Sequence, residues 1–235
     1  MEEQITLDLV AALCRTLAPK KIDYCHWKSN TFLYRSANGD NDLDLLVNRI
    51  HAQEFEEILS QLGFKESLLP KDEELPGVRN YYGCDPKTGR LIHVHLHFQL
   101  ILGNDLSKNY RLPLERAYLE SSTQRDLFRV PAPEFELVVL VIRMVLKHST
   151  WDSILMRHGR LSKTEQCELS DLSTQETLAK SVLCFIQEYM AEHHYSPSIR
   201  EIGEQCGMGR ATVTRYLDRL EVQGHITRDP GIARS

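Results

Sequence analysis

The chain lacks an apolar run long enough to span a membrane. Its longest, Leu137 to Leu146, is broken by Arg143 and reaches about half of the roughly 20 residues that a crossing helix requires. It reads as a buried helix, and no membrane partner is expected. A secretory signal is missing too: Met1-Glu2-Glu3-Gln4 is acidic, with neither a basic n-region nor a small-residue cleavage site, so a cytoplasmic protein is expected. The six cysteines, at 14, 25, 84, 167, 184 and 206, include no CxxC pair, which excludes zinc-knuckle and thioredoxin-like spacings and leaves reduced, structural thiols as the plain reading. Positive charge is not in excess either. A net charge of −5 gives the chain no general attraction to nucleic acid, so any DNA contact must come from a local patch.

What is present suits two compact units, because 235 residues exceed what one small core usually needs. Residues 1 to 155 mix strand-like and helical runs. Residues 156 to 172 are polar without a sustained apolar period and read as a linker. From 173 to 235 the pattern is helical until a short final hairpin. The expected class is an α+β two-domain protein, a mixed α/β unit followed by a small winged helix-turn-helix.

In the C-terminal unit, Ser173-Thr174-Gln175-Glu176 has the form of a capping box, so a helix is predicted to start there. Its apolar positions Leu178, Val182, Phe185, Ile186 and Tyr189 recur at steps of three and four. Ser198 and Glu201 form a second box, opening a short helix that Gly207-Met208-Gly209 stops. A third helix is predicted from Arg210 to Gln223, buried through Val213, Leu217 and Leu220 and closed by Gly224. Two helices joined by a tight glycine turn make a helix-turn-helix.

Burying 213, 217 and 220 leaves Arg210, Ala211, Thr212, Thr214, Arg215 and Arg219 on the other faces. Arginine can donate two hydrogen bonds to a guanine edge, threonine offers a hydroxyl or a methyl, and either can hold a phosphate. His225-Ile226-Thr227-Arg228, Asp229-Pro230-Gly231 and Ile232-Ala233-Arg234-Ser235 read as strand, turn, strand, a wing. From Gly209 onward five arginines face three acids, a small excess located where phosphate contacts would fall.

On the segments SPSIREI, at 196 to 202, and RDPG followed by Ala233-Arg234, the C-terminal unit resembles the DNA-binding domain of LexA-type repressors. The resemblance implies that the helix from 210 is the recognition helix, that Ser198, Arg228 and Arg234 join it at double-stranded DNA, and that this binding needs no cofactor. LexA repressors continue into a self-cleaving Ser-Lys domain, whereas this sequence stops at Ser235, so LexA-type peptidase activity is not expected. The family's dimerisation surface also lies in that domain. A homodimer formed through the N-terminal unit would restore two-fold binding.

The N-terminal unit carries Asn41-Asp42-Leu43-Asp44-Leu45-Leu46-Val47. In a strand, Asp42 and Asp44 share one face and Leu43, Leu45 and Val47 the other. Two carboxylates so placed suit Mg²⁺ or Mn²⁺ in phosphoryl or nucleotidyl transfer, and they also suit a solvated edge strand. Ile92 to Leu100 alternates without a break, which puts His93, His95 and His97 on one face. If the two strands are neighbours, the carboxylates and imidazoles converge on a metal or phosphate site.

This arrangement resembles the nucleotidyltransferase superfamily, with Lys28-Ser29 in place of the Gly-Ser that precedes Asp-x-Asp and His95 in place of a third acid. The segments YCHWKSN, NDLDLLV and HVHLHFQLILG also look like nucleotidyltransferase-like domains of bacterial polysaccharide-biosynthesis proteins. The resemblance implies Asp42, Asp44 and His95 as catalytic positions and Lys28 and Ser29 as phosphate-binding ones. Lysine for glycine alters the phosphate-approaching turn, and a neutral imidazole is a poorer Mg²⁺ ligand than a carboxylate. Two functions compete: a transcriptional regulator whose first domain senses a nucleotide, sugar nucleotide or metal, or only dimerises, and a metal-dependent nucleotidyltransferase tethered to DNA.

Overall fold

The computed structural model describes residues 6–70, 74–104, 108–148 and 160–227 and divides into two compact units, Met1–Glu168 and Leu169–Ser235. The first is built on a five-stranded mixed sheet in the order β1-β2-β5-β4-β3, from β1 (Tyr24–His26), β2 (Leu43–Val47), β3 (Lys65–Ser67), β4 (Val78–Cys84) and β5 (Leu91–His97). Among the described residues β2 and β5 form the one parallel pair, with Asp44 opposite His95 in register.

Both faces of β2 are covered, because side chains alternate along the strand and each face has its own apolar layer. Leu43, Leu45 and Val47 join Val10, Leu13 and Leu17 of α1 (Asp8–Leu17) and Phe55, Ile58 and Leu59 of α3 (Ala52–Gln61) in one core. Leu46, on the opposite face, packs in a second core with Trp27, Leu100 and Leu102 of β6 (Leu100–Asn104), Tyr118 of α4 (Glu115–Glu120) and Val139 of α5 (Pro133–His148). That second layer makes all five residues of β2 buried, Asp44 included. An edge-strand reading of this segment is therefore excluded. The short α2 (Leu33–Ala37) follows β1; β7 (Lys108–Leu112) pairs with β6, and β8 (Thr123–Arg125) with β9 (Phe128–Val130).

The helix predicted to begin at the Ser173 box starts ten residues earlier, as α6 (Lys163–His193). The same cap device occurs first at Ser162: its hydroxyl accepts from the Glu165 N–H at 3.3 Å, and Glu165 accepts from the Ser162 N–H at 2.7 Å. Once that turn is nucleated, each further residue adds a backbone hydrogen bond, and the Ser173 box is absorbed mid-helix. The expected linker at 156 to 172 is corrected accordingly. From Lys163 it is helical, the division between the units falls at Glu168 and Leu169, and positions 156 to 159 lie outside the described residues.

The second unit continues with α7 (Ile199–Cys206) and α8 (Arg210–Val222) around Ala179, Val182, Ile186, Ile202, Val213, Tyr216, Leu217 and Leu220. The turn between α7 and α8 requires glycine twice. Gly207 caps α7 in the left-handed region at φ 66°, and a Cβ on Gly203 would stand 2.7 Å from the Met208 carbonyl oxygen. The expected wing falls mostly outside the described residues, Arg228 and Arg234 included, and the described positions His225 to Thr227 form no strand.

Candidate functional site

In the N-terminal unit the parallel pairing of β2 with β5 brings a carboxylate against imidazoles. The Asp44 carboxylate lies 2.7 Å from the Lys28 ammonium and 3.3 Å from His95 Nδ1. The His97 ring centre is 4.2 Å from that of His95 and meets Trp27 edge-on. Asp44, His95 and His97 each offer a ligand atom, and these atoms all lie within 4.8 Å of one another.

Asp42 and His93 form a separate pair. Asp42 precedes β2 and is exposed, and it is held by His93 Nδ1 at 3.0 Å. His93 in turn meets the Asn80 side-chain oxygen through Nε2 at 2.9 Å and stacks on Tyr82. The five residues read from sequence as one metal set thus divide in two.

Burial pushes the Asp44 carboxyl up, but Lys28, His95 and His26 together outweigh that and hold it well below the usual carboxylate range. The hydrogen bond from His93 likewise holds Asp42 low. His97 is only 3% exposed, and burial drives its pKa well down, keeping it neutral. The Gln99 backbone lies near it without closing a well-formed hydrogen bond, and neither ring nitrogen has a good partner.

Behind Lys28, Ser29 adopts a left-handed conformation at φ 59°. Its backbone N–H donates to Glu168, and the next one, on Asn30, donates to Glu136 Oε1 at 3.1 Å. The turn read from sequence as phosphate-approaching therefore spends these two amides on the chain's own acids. Burial raises Glu136 to about 7. Glu136, Glu168 and the buried His26, whose Nδ1 meets the Asn30 side-chain oxygen at 2.6 Å, escaped the sequence reading. The signal for Glu136 was the second of two acids in the first turn of an otherwise apolar helix.

The C-terminal surface is built differently. Ser198 accepts from the Glu201 N–H, Glu201 accepts from the Ser198 N–H at 2.7 Å, and Glu201 Oε1 also accepts from the Tyr189 hydroxyl at 2.8 Å. One carboxylate caps α7 and ties it to α6, and these hydrogen bonds lower Glu201 to about 2. With α7 fixed, α8 presents Arg210, Ala211 and Arg215 as exposed residues and Thr212 and Thr214 as half-buried ones. The Thr214 hydroxyl donates to the Arg210 carbonyl, and the Arg215 guanidinium lies 5.6 Å from the Tyr216 ring centre.

Arg219 does not belong to this surface. It is 9% exposed, because Tyr216 joins the buried stripe and Arg219 stands only about 60° around the helix from it. Ser198 is half-buried, with its hydroxyl already serving as the cap.

A capped helix, a glycine turn and a second helix presenting arginines define a helix-turn-helix DNA-binding domain. The family model of the LexA DNA binding domain matches residues 174–235, so the C-terminal unit is similar to the LexA DNA-binding domain over these residues. LexA repressors are similar to this chain: that of Clavibacter sepedonicus is 43% identical over 56 residues, 23% of this chain and 25% of its own. That of Bacillus pumilus is 48% identical over 50 residues, 21% and 24%, and that of Halalkalibacterium halodurans 41% over 63 residues, 26% and 29%. The chain spans about a quarter of the length of these curated relatives. No solved structure matches it. Among the described residues no helix is long and apolar enough to cross a membrane.

Proposed function

We propose that this protein is a transcriptional regulator in which the LexA-type domain reads duplex DNA and the N-terminal α/β unit supplies ligand sensing, dimerisation or both. The observation that carries this reading is the exposure of Arg210 at the start of α8, and of Ala211 and Arg215 on the side away from the buried Val213, Leu217 and Leu220. The N-terminal residues of such a helix enter the major groove, where arginine is the commonest reader of guanine. The winged unit makes few phosphate contacts by itself, so a second copy brought by the N-terminal unit would raise both affinity and palindromic preference. DNA binding needs no cofactor in this reading. The test is recovery of DNA fragments bound to the full chain from the whole genome, followed by titration of a recovered site. Recovery of a shared sequence motif supports the reading, and recovery of sequence-random DNA removes it.

The alternative is a nucleotidyltransferase-like enzyme using Asp42, Asp44 and His95 with Mg²⁺ or Mn²⁺, the winged helix serving as a tether. The register of Asp44 opposite His95 is in its favour. Against it, Asp42 is tied to His93 and the Asn30 amide to Glu136, so neither the second carboxylate nor the phosphate-approaching turn is free. The donor set around Asp44 is imidazole-rich and does not fit a magnesium ion, which prefers oxygen ligands. Transfer from a labelled nucleotide that vanishes in Asp42→Asn would establish the enzyme; inertness with retained nucleotide binding favours a sensor.

A further inference from the structure

We infer that Asp44, His95 and His97 form a binding site for a first-row transition-metal dication, and that the Lys28 ammonium stands in for that cation in the metal-free protein. The inference rests on the reading of the N-terminal unit as a sensing domain and names the ligand class.

Three observations converge. The ligand atoms of the three residues already lie within 4.8 Å of one another, whereas bonds of about 2.0–2.2 Å to one ion put its ligands roughly 3.3 Å apart. Small side-chain rotations bridge that gap. His97 is buried, and neither ring nitrogen has a well-formed hydrogen bond, a costly condition for a polar group that metal coordination removes. Asp44 already binds a cation, with Lys28 Nζ at 2.7 Å, and the Lys28 side chain is 22% exposed, so it has a path to solvent when displaced.

The donor chemistry selects the metal. Two neutral imidazoles and one carboxylate suit zinc, cobalt, nickel or ferrous iron, whereas magnesium takes oxygen ligands and keeps its waters. Asp42, the residue that would supply a second carboxylate, is engaged by His93 at 3.0 Å and lies outside the set. Three protein ligands leave a coordination position open to water or to a small anionic effector.

The test is a titration of chelator-stripped full chain with Co²⁺, followed by its ligand-field absorption, with Zn²⁺ and Mg²⁺ as competitors. One Co²⁺ per chain, displaced by Zn²⁺ and not by excess Mg²⁺, is expected. His95→Gln and Asp44→Asn each weaken Co²⁺ binding by at least about tenfold, while Lys28→Met, which removes the competing cation, strengthens it about tenfold. Circular dichroism of each variant verifies folding, and the opposite direction expected for Lys28→Met separates ligation from damage. Binding that is indifferent to His95→Gln and Asp44→Asn, that disappears when the exposed thiols of Cys84, Cys167 and Cys184 are alkylated, or that weakens in Lys28→Met overturns the proposal. DNA binding measured on the same samples without metal keeps the two readings apart. A DNA-binding protein without Co²⁺ affinity loses only the metal site, and one that binds Co²⁺ but no DNA loses the regulator.

Discussion

The two candidate surfaces handle charge in opposite ways. Around Asp44, charge is buried, and the carboxylate is compensated by neighbours in fixed geometry, first by Lys28 and then by His95, as a buried charge requires. On α8, Arg210 and Arg215 stay in water, where their desolvation is deferred until a partner arrives. A buried cluster selects by fit and resists change, while an exposed basic face selects by what it meets and tolerates substitution until binding is measured. Damage to the first should register in stability, and damage to the second in affinity.

Seven substitutions and one pH scan can break that distinction. The largest effect is expected at a position that serves the exposed surface through packing. Gly203→Val drives a Cβ into the Met208 carbonyl oxygen, which should cost the C-terminal unit about 4 kcal/mol and abolish DNA binding. Thermal melts that leave this unit intact would show that the turn can open to admit a side chain.

Next comes pH. Glu136 titrates near 7 when folded against an ordinary 4.5. A raised carboxyl pKa contributes stability that is fully present below the unfolded value and lost as pH rises through the folded one. The N-terminal unit should therefore lose about 3 kcal/mol between pH 4.5 and pH 7.5, and Glu136→Gln should flatten that slope. Asp44, shifted the other way, contributes stability above its ordinary pKa that is lost only in acid, so the two do not share a window.

Arg215→Ala should weaken binding to an authentic site by about 2 kcal/mol if it reads a base, with an unchanged melting temperature. Arg219→Ala should do the reverse, lowering stability before affinity, because Arg219 is buried. Equal affinity losses at both positions would erase the distinction between them. The smallest effects test which box starts a helix: Ser162→Ala and Ser198→Ala should each cost about 1 kcal/mol, and Ser173→Ala, in mid-helix, close to nothing.

The sequence announced what depends on local spacing. The alternation from Ile92 produced β5 and aligned its three histidines, and the Ser198–Glu201 box, the glycine turn and the stripe 213, 217, 220 stand where periodicity put them. Long-range arrangement was not legible. Nothing local says that Trp27 covers His97, that Asp42 leaves the metal set for His93, or that Tyr216 widens the stripe and draws Arg219 inward. The Ser173 box was equally well formed on paper. It lost because Ser162, with Glu165 also engaged by Lys147 at 2.7 Å, opens the helix first.

The left-handed turn at Ser29 also has a consequence for the order of folding. A non-glycine residue there carries about 1–2 kcal/mol of backbone strain, and the turn is held by Glu136 on α5, 106 residues beyond the Asn30 amide it binds, and by Glu168 on α6. Contacts so distant in the chain close late. During synthesis β1, β2 and β5 emerge long before those acids, so the turn that follows Lys28 gains its last two holds only once α5 and the start of α6 have been made.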